Sequence, residues 1–380
     1  MIQGSKIRVL VVDDSAIVRK VLSDVLSSQP DIEVVGTAPD PYVARDKIFA
    51  LNPDVLTLDI EMPRMDGLTF LDRLMASHPM PVIMISSLAQ SSTRSALEAM
   101  HRGAVDVLAK PGGPYSVGDL KDDLPRRVRA AACAHVHRGG ARRLPAATAA
   151  RIDVKPATPR VEKRAPVEAG VPASTPASVP GNWKVDRFVA IGASTGGTQA
   201  IEQILRQLPA DFPPVVATQH IPMGFSAAFA ERLNGICAMR VSEAQEGDVL
   251  RSGCAYIAPG NHHMRIVKRT AGGYAVQLHD GPKIHYQRPA VDELFLSAAQ
   301  LPGSPAIGIL LTGMGKDGAE GLLALKNAGC YTIAQDEATC VVFGMPREAI
   351  LLGAAREVCP LPAIAAAAMA AINARATHAA

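Results

Sequence analysis

Two groups of polar residues in this chain have the types and positions that chemistry requires. In the first, Asp13 and Asp14 follow the apolar run at 7–12, Asp59 follows 54–58, Ser86 follows 81–85 and Lys110 follows 105–109. Three carboxylates brought together repel one another unless they share a hard cation such as Mg2+. A carboxylate flanked by that cation and a lysine can accept a phosphoryl group, because both cations offset charge on the transferring oxygens. In the second group, Ser194 follows the apolar run at 188–191, His220 follows 214–219, and Asp317 lies in the turn after 308–312. A serine hydroxyl is a weak nucleophile until a histidine takes its proton. A buried carboxylate then orients the imidazole and stabilises its charged form.

The stretch around Ser194 by itself admits three readings. Gly192, Gly196 and Gly197 surround it with small residues, and an apolar stretch at helical spacing follows from Thr198. A serine there sits at a strand end beside the free N–H groups of a helix start. That suits a nucleophile beside an oxyanion hole, a phosphate cradle, or an N-capping Ser-Thr pair. The letters Gly192-x-Ser194-x-Gly196 match the nucleophile elbow of α/β-hydrolases, which order their triad as Ser, acid, His. Here the order is Ser, His, Asp, so that fold is not assigned. The coincidence of Ser194, His220 and Asp317 at equivalent strand ends favours catalysis.

The elements that must hold these residues are legible as an alternation. Over residues 7–109, strand runs alternate with helical stretches at 16–26, 41–51, 67–77 and 93–102. The strands are apolar throughout, which predicts a five-stranded parallel sheet with helices on both faces and its chemistry at the strand carboxyl ends. The same alternation returns after residue 187, with strands at 188–191, 214–219, 308–312 and 332–335 and helices at 198–205, 227–233 and 319–328. It predicts a second doubly wound α/β domain with a mainly parallel sheet. The expected division is a domain at 5–130, a linker at 131–182 rich in Ala, Pro and Arg, and a second domain at 183–375. The linker has little to bury and no periodicity, so a semi-extended tether is expected there.

Composition narrows the class. Hydrophobic residues make 48% of the 380 and charged residues 20%, as in globular domains. A net charge of +3 gives no electrostatic case for nucleic acid. The 6 cysteines lie far apart without a CxxC pair, which points to reduced thiols in a cytoplasmic protein. No apolar run approaches the ~20 residues of a membrane span, so no membrane insertion is expected, and the alanine-rich stretch at 364–372 predicts a terminal helix.

Residues 6–130 resemble the flavodoxin-like receiver domain of response regulators through Asp13, Asp14, Asp59, Ser86 and Lys110. The resemblance implies that Asp59 accepts phosphate from a histidine kinase and that Asp13, Asp14 and Asp59 hold Mg2+ with the Glu61 carbonyl. It implies that Ser86 and Lys110 form the switch. Val107 stands where receivers usually carry an aromatic. The second domain is similar to the CheB family of chemotaxis methylesterases through Ile191–Gly197, Gln219-His220-Ile221-Pro222, Arg288-Pro289-Ala290-Val291-Asp292 and Leu311–Gly318. That resemblance implies hydrolysis of glutamyl methyl esters on methyl-accepting chemotaxis receptors, and deamidation of receptor glutamines. It gives Ser194 as nucleophile, His220 as base and acid, and Asp317 as orienting carboxylate. The oxyanion hole falls to the amides near Thr195 and Met314. The hydrolytic step needs no cofactor, and Arg288 and Asp292 are expected at the substrate cleft. The glycines are expected to leave room for the glutamyl side chain. By the same resemblance, the unphosphorylated receiver covers the cleft, although the long tether leaves its docking open.

The other histidines carry less. Asn261-His262-His263 lacks a third ligand at zinc spacing, and His279 and His285 are expected in loops or at the surface. A transcription regulator would instead carry a short basic helix-turn-helix output, and the second domain is too long for one. A binding module without catalysis, and an esterase serving a receptor array outside chemotaxis, stay open at this point.

Overall fold

Strands that are apolar on both faces must be covered on both faces. The chain meets that demand twice. The computed structural model describes residues 6–87, 90–110, 117–134, 187–303 and 305–374. The expected linker lies almost entirely outside them.

The first unit alternates β1 (Ile7–Val12), α1 (Ala16–Ser27), β2 (Ile32–Ala38), α2 (Pro41–Leu51), β3 (Val55–Asp59), α3 (Gly67–Ser77), β4 (Val82–Ser86), α4 (Gln90–His101), β5 (Asp106–Ala109) and α5 (Val117–Ala132). Its parallel sheet has the order β2-β1-β3-β4-β5. Local chemistry sets the helix starts. Ser15 accepts from the Val18 amide, Asp40 from Tyr42 and Val43, and Asp66 from Thr69, each satisfying donors a helix leaves open. Leu10, Leu56, Leu58 and Met84 are buried under α2 to α4, and Val9, Val11 and Ile83 face α1 and α5.

The second unit is β6 (Phe188–Ala193), α6 (Gly197–Leu205), β7 (Val215–Gln219), α7 (Phe225–Ile236), β8 (Arg240–Glu243), β9 (Cys254–Ile257), β10 (His263–Lys268), β11 (Tyr274–His279), α8 (Val291–Ala299), β12 (Ala306–Leu310), α9 (Ala319–Asn327), β13 (Tyr331–Gln335), α10 (Met345–Leu351), β14 (Glu357–Cys359) and α11 (Leu361–Ala374). Seven strands pair in the order β14-β13-β12-β6-β7-β9-β8, every pair parallel. An antiparallel hairpin, β10–β11, stands apart. Strand order reverses between β6 and β12, and that reversal opens a crevice at their carboxyl ends. Ser194 follows β6, and Asp317 lies in the loop after β12.

The two units pack together. Leu97 and Met100 of α4 belong to one apolar cluster with Ile201, Phe225 and Phe229 of the second unit. Val341 packs on the cluster beneath α5. Around these contacts lie ion pairs Arg94–Glu231 (3.0 Å) and Arg232–Glu98 (3.5 Å). The Gln199 amide also donates to the Met100 carbonyl.

Candidate active site

The turn after β6 is shaped by its glycines. Gly196 has φ +78°, which costs a side-chain-bearing residue energy. A Cβ there would also lie 2.6 Å from Val341. One at Gly197 would lie 2.1 Å from Gln219 Oε1. The space these two glycines leave is therefore filled by Val341 and Gln219, not kept open for a substrate side chain. Gln219 Nε2 donates to the Ser194 carbonyl at 2.8 Å, tying the turn to the end of β7.

Ser194, His220 and Asp317 line one cavity of about 270 Å³ with Thr195, His285, Tyr286, Gln287, Met314, Gly315 and Lys316. His220 Nε2 lies 2.7 Å from Asp317 Oδ2. A carboxylate only accepts, so Nε2 carries the proton and donates. His220 Nδ1 is buried and has no hydrogen-bond partner. It is the nitrogen left to take a proton from the hydroxyl sharing its cavity, and such contacts often close only when substrate binds. Burial pushes the Asp317 carboxyl up, but His220 and the amides of Asp292 and Val291 outweigh it and hold the group below its usual value. Those amides donate at 2.9 and 2.8 Å. Thr195 follows Ser194 and Met314 lines the same cavity, and neither amide has a backbone acceptor among the described residues. The Thr195 carbonyl is held by Thr312 Oγ1 at 2.9 Å.

The first unit closes one side of this cavity with Asp106, Arg126, Arg127 and Ala130. Thr195 Oγ1 donates to Asp106 Oδ2 at 3.0 Å, and the other Asp106 oxygen pairs with Arg127 at 2.5 Å. Arg126 donates to the His285 carbonyl at 3.3 Å and stacks over Tyr286.

Other expectations are redirected. Arg288 and Asp292 do not line the cavity. Arg288 staples its loop through Asn261 and the carbonyls of Asp280 and Gly281. Asp292 is buried, with Oδ1 on the Gly321 amide at 2.7 Å. His285 lies in a turn, as expected, and that turn brings it to the cavity wall. His279 lies in β11 and bonds Glu293 at 2.8 Å. His263 is buried and donates to the Pro282 carbonyl at 3.0 Å. Sequence reading missed His285 because its φ of +50° comes without the glycine or asparagine that usually marks such a turn.

At the first sheet, Lys110 Nζ lies 2.7 Å from Asp59 Oδ2 and 3.3 Å from Asp13 Oδ2. Burial pushes the Asp59 carboxyl up to about 6, Lys110 pulls it down, and Asp13 adds to the rise. Asp13, Asp14 and Asp59 bring oxygens within 4.8 Å of one another. Asp13 Oδ2 is buried with the Lys110 ammonium as its partner. Three carboxylates this close carry more negative charge than one lysine offsets, which fits a divalent cation such as Mg2+. The Glu61 amide donates to Asp59 Oδ1 at 3.2 Å, so Glu61 lies against the same group. Ser86 is buried and Val107 sits within the core.

A phosphoacceptor-type sheet packed over a cleft holding serine, histidine and aspartate defines a receiver-controlled hydrolase class. Residues 189–368 match the CheB methylesterase family and residues 9–118 the response regulator receiver domain. The chain is 50% identical over 361 residues to the protein-glutamate methylesterase/protein-glutamine glutaminase 2 of Syntrophus aciditrophicus, covering 95% of this chain and 98% of that one. It is 48% identical to the corresponding Bordetella avium protein, over 94% and 95% of the two chains. It is also similar to the crystal structure of the Thermotoga maritima CheB methylesterase catalytic domain, at 40% identity and a TM-score of 0.47, over 50% of this chain and 98% of that one. The chain belongs to the CheB family.

Proposed function

We propose that the chain is a phosphorylation-activated hydrolase that removes methyl groups from glutamyl esters of chemotaxis receptors and deamidates receptor glutamines. The observation that carries this reading is the shared cavity of Ser194, His220 and Asp317, walled on one side by Asp106, Arg126 and Arg127. Ser194 Oγ attacks the glutamyl carbonyl carbon while its proton passes to His220 Nδ1. Nε2 keeps its proton on Asp317, which stabilises the imidazolium. The Thr195 and Met314 amides take the oxyanion. His220 returns the proton to the departing methoxide, or to the departing amine, and methanol or ammonia leaves. Water then attacks the glutamyl-enzyme, giving its proton to His220, and Ser194 is restored.

Asp59 is the phosphate acceptor in this reading, with Lys110 on the phosphoryl oxygens and Ser86 as the responding hydroxyl. Asp13, Asp14, Asp59 and the Glu61 carbonyl would hold Mg2+, which supplies positive charge for phosphoryl transfer when bound. The phosphodonor is a chemotaxis histidine kinase. No helix of the described residues is long and apolar enough to cross a membrane, in keeping with action from the cytoplasm on receptor segments that extend there.

The test is methanol release from membranes carrying methylated receptors, with and without a phosphodonor. The parent chain releases methanol and the phosphodonor raises the rate. Ser194→Ala lowers the rate by about 10⁵-fold or more while the chain still takes up phosphate. Retained release in that variant would remove Ser194 from the mechanism.

A further inference from the structure

We propose that Asp292 and His285 form a second carboxylate–imidazole pair, which positions and charges the triad by exchanging helix caps with Asp317. The inference rests on the hydrolytic reading of Ser194, His220 and Asp317.

The exchange is visible at the starts of two neighbouring helices. Neither α8 nor α9 has a side-chain cap from its own N-cap residue, Ala290 or Gly318. Instead Asp317, which leads into α9, accepts the Val291 and Asp292 amides at the start of α8. Asp292, which starts α8, accepts the Gly321 amide at the start of α9. Each carboxylate therefore satisfies donors that the other helix leaves open. The approach is close: a Cβ at Gly321 would lie 2.6 Å from Phe295 Cβ and 3.0 Å from Asp292 Oδ1. A shift of Asp292 moves α8 against α9, and with it the carboxylate that orients His220.

The second Asp292 oxygen points the other way. It lies 3.3 Å from His285 Nε2, on a residue of the cavity wall. His285, Asp292 and Asp317 bring their polar atoms within 4.8 Å of one another. Both Asp317 oxygens and Asp292 Oδ1 already accept hydrogen bonds from His220 or backbone amides, so the three do not make a ligand cage. Asp292 is 3% exposed, and a charge so buried acts strongly on its neighbours.

The other charges near α8 are engaged elsewhere. Glu293 faces Arg265 of β10 and His279 of β11. His263 of β10 is taken by Pro282 and Ala290. Lys268 ends β10 at the surface. Lys316 and Glu320 pair with each other in solvent. Strands β6, β7 and β12 carry no charged side chain toward the helix. Asp317 and His285 are thus what Asp292 answers to. Burial, followed by the Asp317 charge, pushes the Asp292 carboxyl up to about 6. Above that value two carboxylates stand behind the imidazole, and below it one does.

The experiment is the pH dependence of kcat and kcat/KM for receptor demethylation by the full chain with saturating phosphodonor. Parent, Ser194→Ala, Asp292→Asn and His285→Asn are compared, with melting temperatures. Asn at 292 keeps an oxygen for the Gly321 amide but not the charge. It lowers kcat about tenfold with KM within about twofold. It also moves the acid limb down by about half a unit, because one of two anions favouring the imidazolium is gone. His285→Asn removes the imidazole that holds the second Asp292 oxygen but leaves the carboxylate, so it lowers kcat about threefold with the acid limb where the parent has it. A fall in kcat in both variants, with the limb moved only by Asp292→Asn, supports the pair. An Asp292→Asn limb that superimposes on the parent, with activity falling only as melting falls, reduces Asp292 to a structural cap and overturns it. A raised KM at unchanged kcat makes Asp292 a substrate contact and also overturns it. Should Asp292→Asn fail to fold, kcat of His285→Asn at unchanged melting decides alone: a lowered kcat supports the pair and a parental kcat overturns it. Activity surviving in Ser194→Ala would instead sink the underlying hydrolytic reading.

Discussion

At the scale of single residues, Asp317 does two jobs that separate on substitution. It accepts from His220, and it accepts from the first two amides of α8. Asn in its place can accept from one amide only and turns an NH2 toward the other donors. Asp317→Asn is expected to lower kcat by about 10³–10⁴-fold, the scale seen when a triad carboxylate is replaced by its amide. It should also cost about 1–3 kcal/mol of stability for the donor left unpaired. Ser194→Ala, by contrast, should melt close to the parent, because Ser194 is held through its backbone, with its amide on the Thr312 carbonyl and its carbonyl on Gln219. Melting curves and initial rates on the same preparations check both. Ser194, His220 and Asp317 were legible because each follows an apolar strand, where side-chain type and position both carry meaning. Asp292 was placed at the cleft because it lies in one of the motifs that carry the family resemblance. Its burial depends on a helix pairing that spacing along the chain does not encode.

At the scale of elements, most strands and helices fall within one or two residues of their sequence positions, because buried parallel strands announce themselves as uninterrupted apolar runs. What sequence reading left out is what that rule does not cover. The hairpin β10–β11 is buried only in part, with Arg265, Lys268 and Gln277 exposed among buried Met264, Ile266 and Val276, so it has no uninterrupted apolar run. Helix α8 buries Asp292 and Glu293 in its first turn, so its inward face is not apolar throughout. Helix α5 holds Pro125 in its interior and charged residues along much of its length, which hide its apolar spacing. That helix matters to control. Arg126 reaches from it to the His285 carbonyl, stacks on the Tyr286 ring and, with the Gln287 amide turned, bonds its oxygen at 2.8 Å. A charge-assisted hydrogen bond plus a cation–π contact is worth about 1–2 kcal/mol at a half-buried site. Arg126→Ala should therefore raise demethylation by the unphosphorylated chain about fivefold to thirtyfold and leave the fully phosphorylated rate unchanged. Equal rates in the two unphosphorylated proteins would show that Arg126 does not hold the cleft shut.

Across the whole molecule, β5 connects the two chemistries. Lys110, just beyond its carboxyl end, lies against Asp59, and Asp106 at its amino end holds Thr195. A long Ala/Pro/Arg-rich tether read from sequence leaves docking open, yet docking depends on surface complementarity, which linker composition does not report. The contact has an apolar centre, Leu97, Met100, Phe225 and Phe229, and a charged edge. At that edge Arg94–Glu231 has side chains 60% and 63% exposed, and Arg232–Glu98 and His101–Glu202 lie at 3.5 and 3.9 Å. Exposed pairs contribute about 0–1 kcal/mol each, and screening shortens their reach from about 10 Å at 0.1 M salt to about 3 Å at 1 M. The edge therefore weakens with salt while the apolar centre does not. Demethylation by the unphosphorylated chain should rise about twofold to fivefold between low and high sodium chloride, and the phosphorylated chain, already released, should change much less. A basal rate that falls with salt in step with the phosphorylated one would place the effect in substrate binding and not in receiver docking. Charge reversal at one pair separates the two cases further. Glu231→Arg sets two arginines face to face, so it should raise the basal rate at low salt and lose that advantage at high salt.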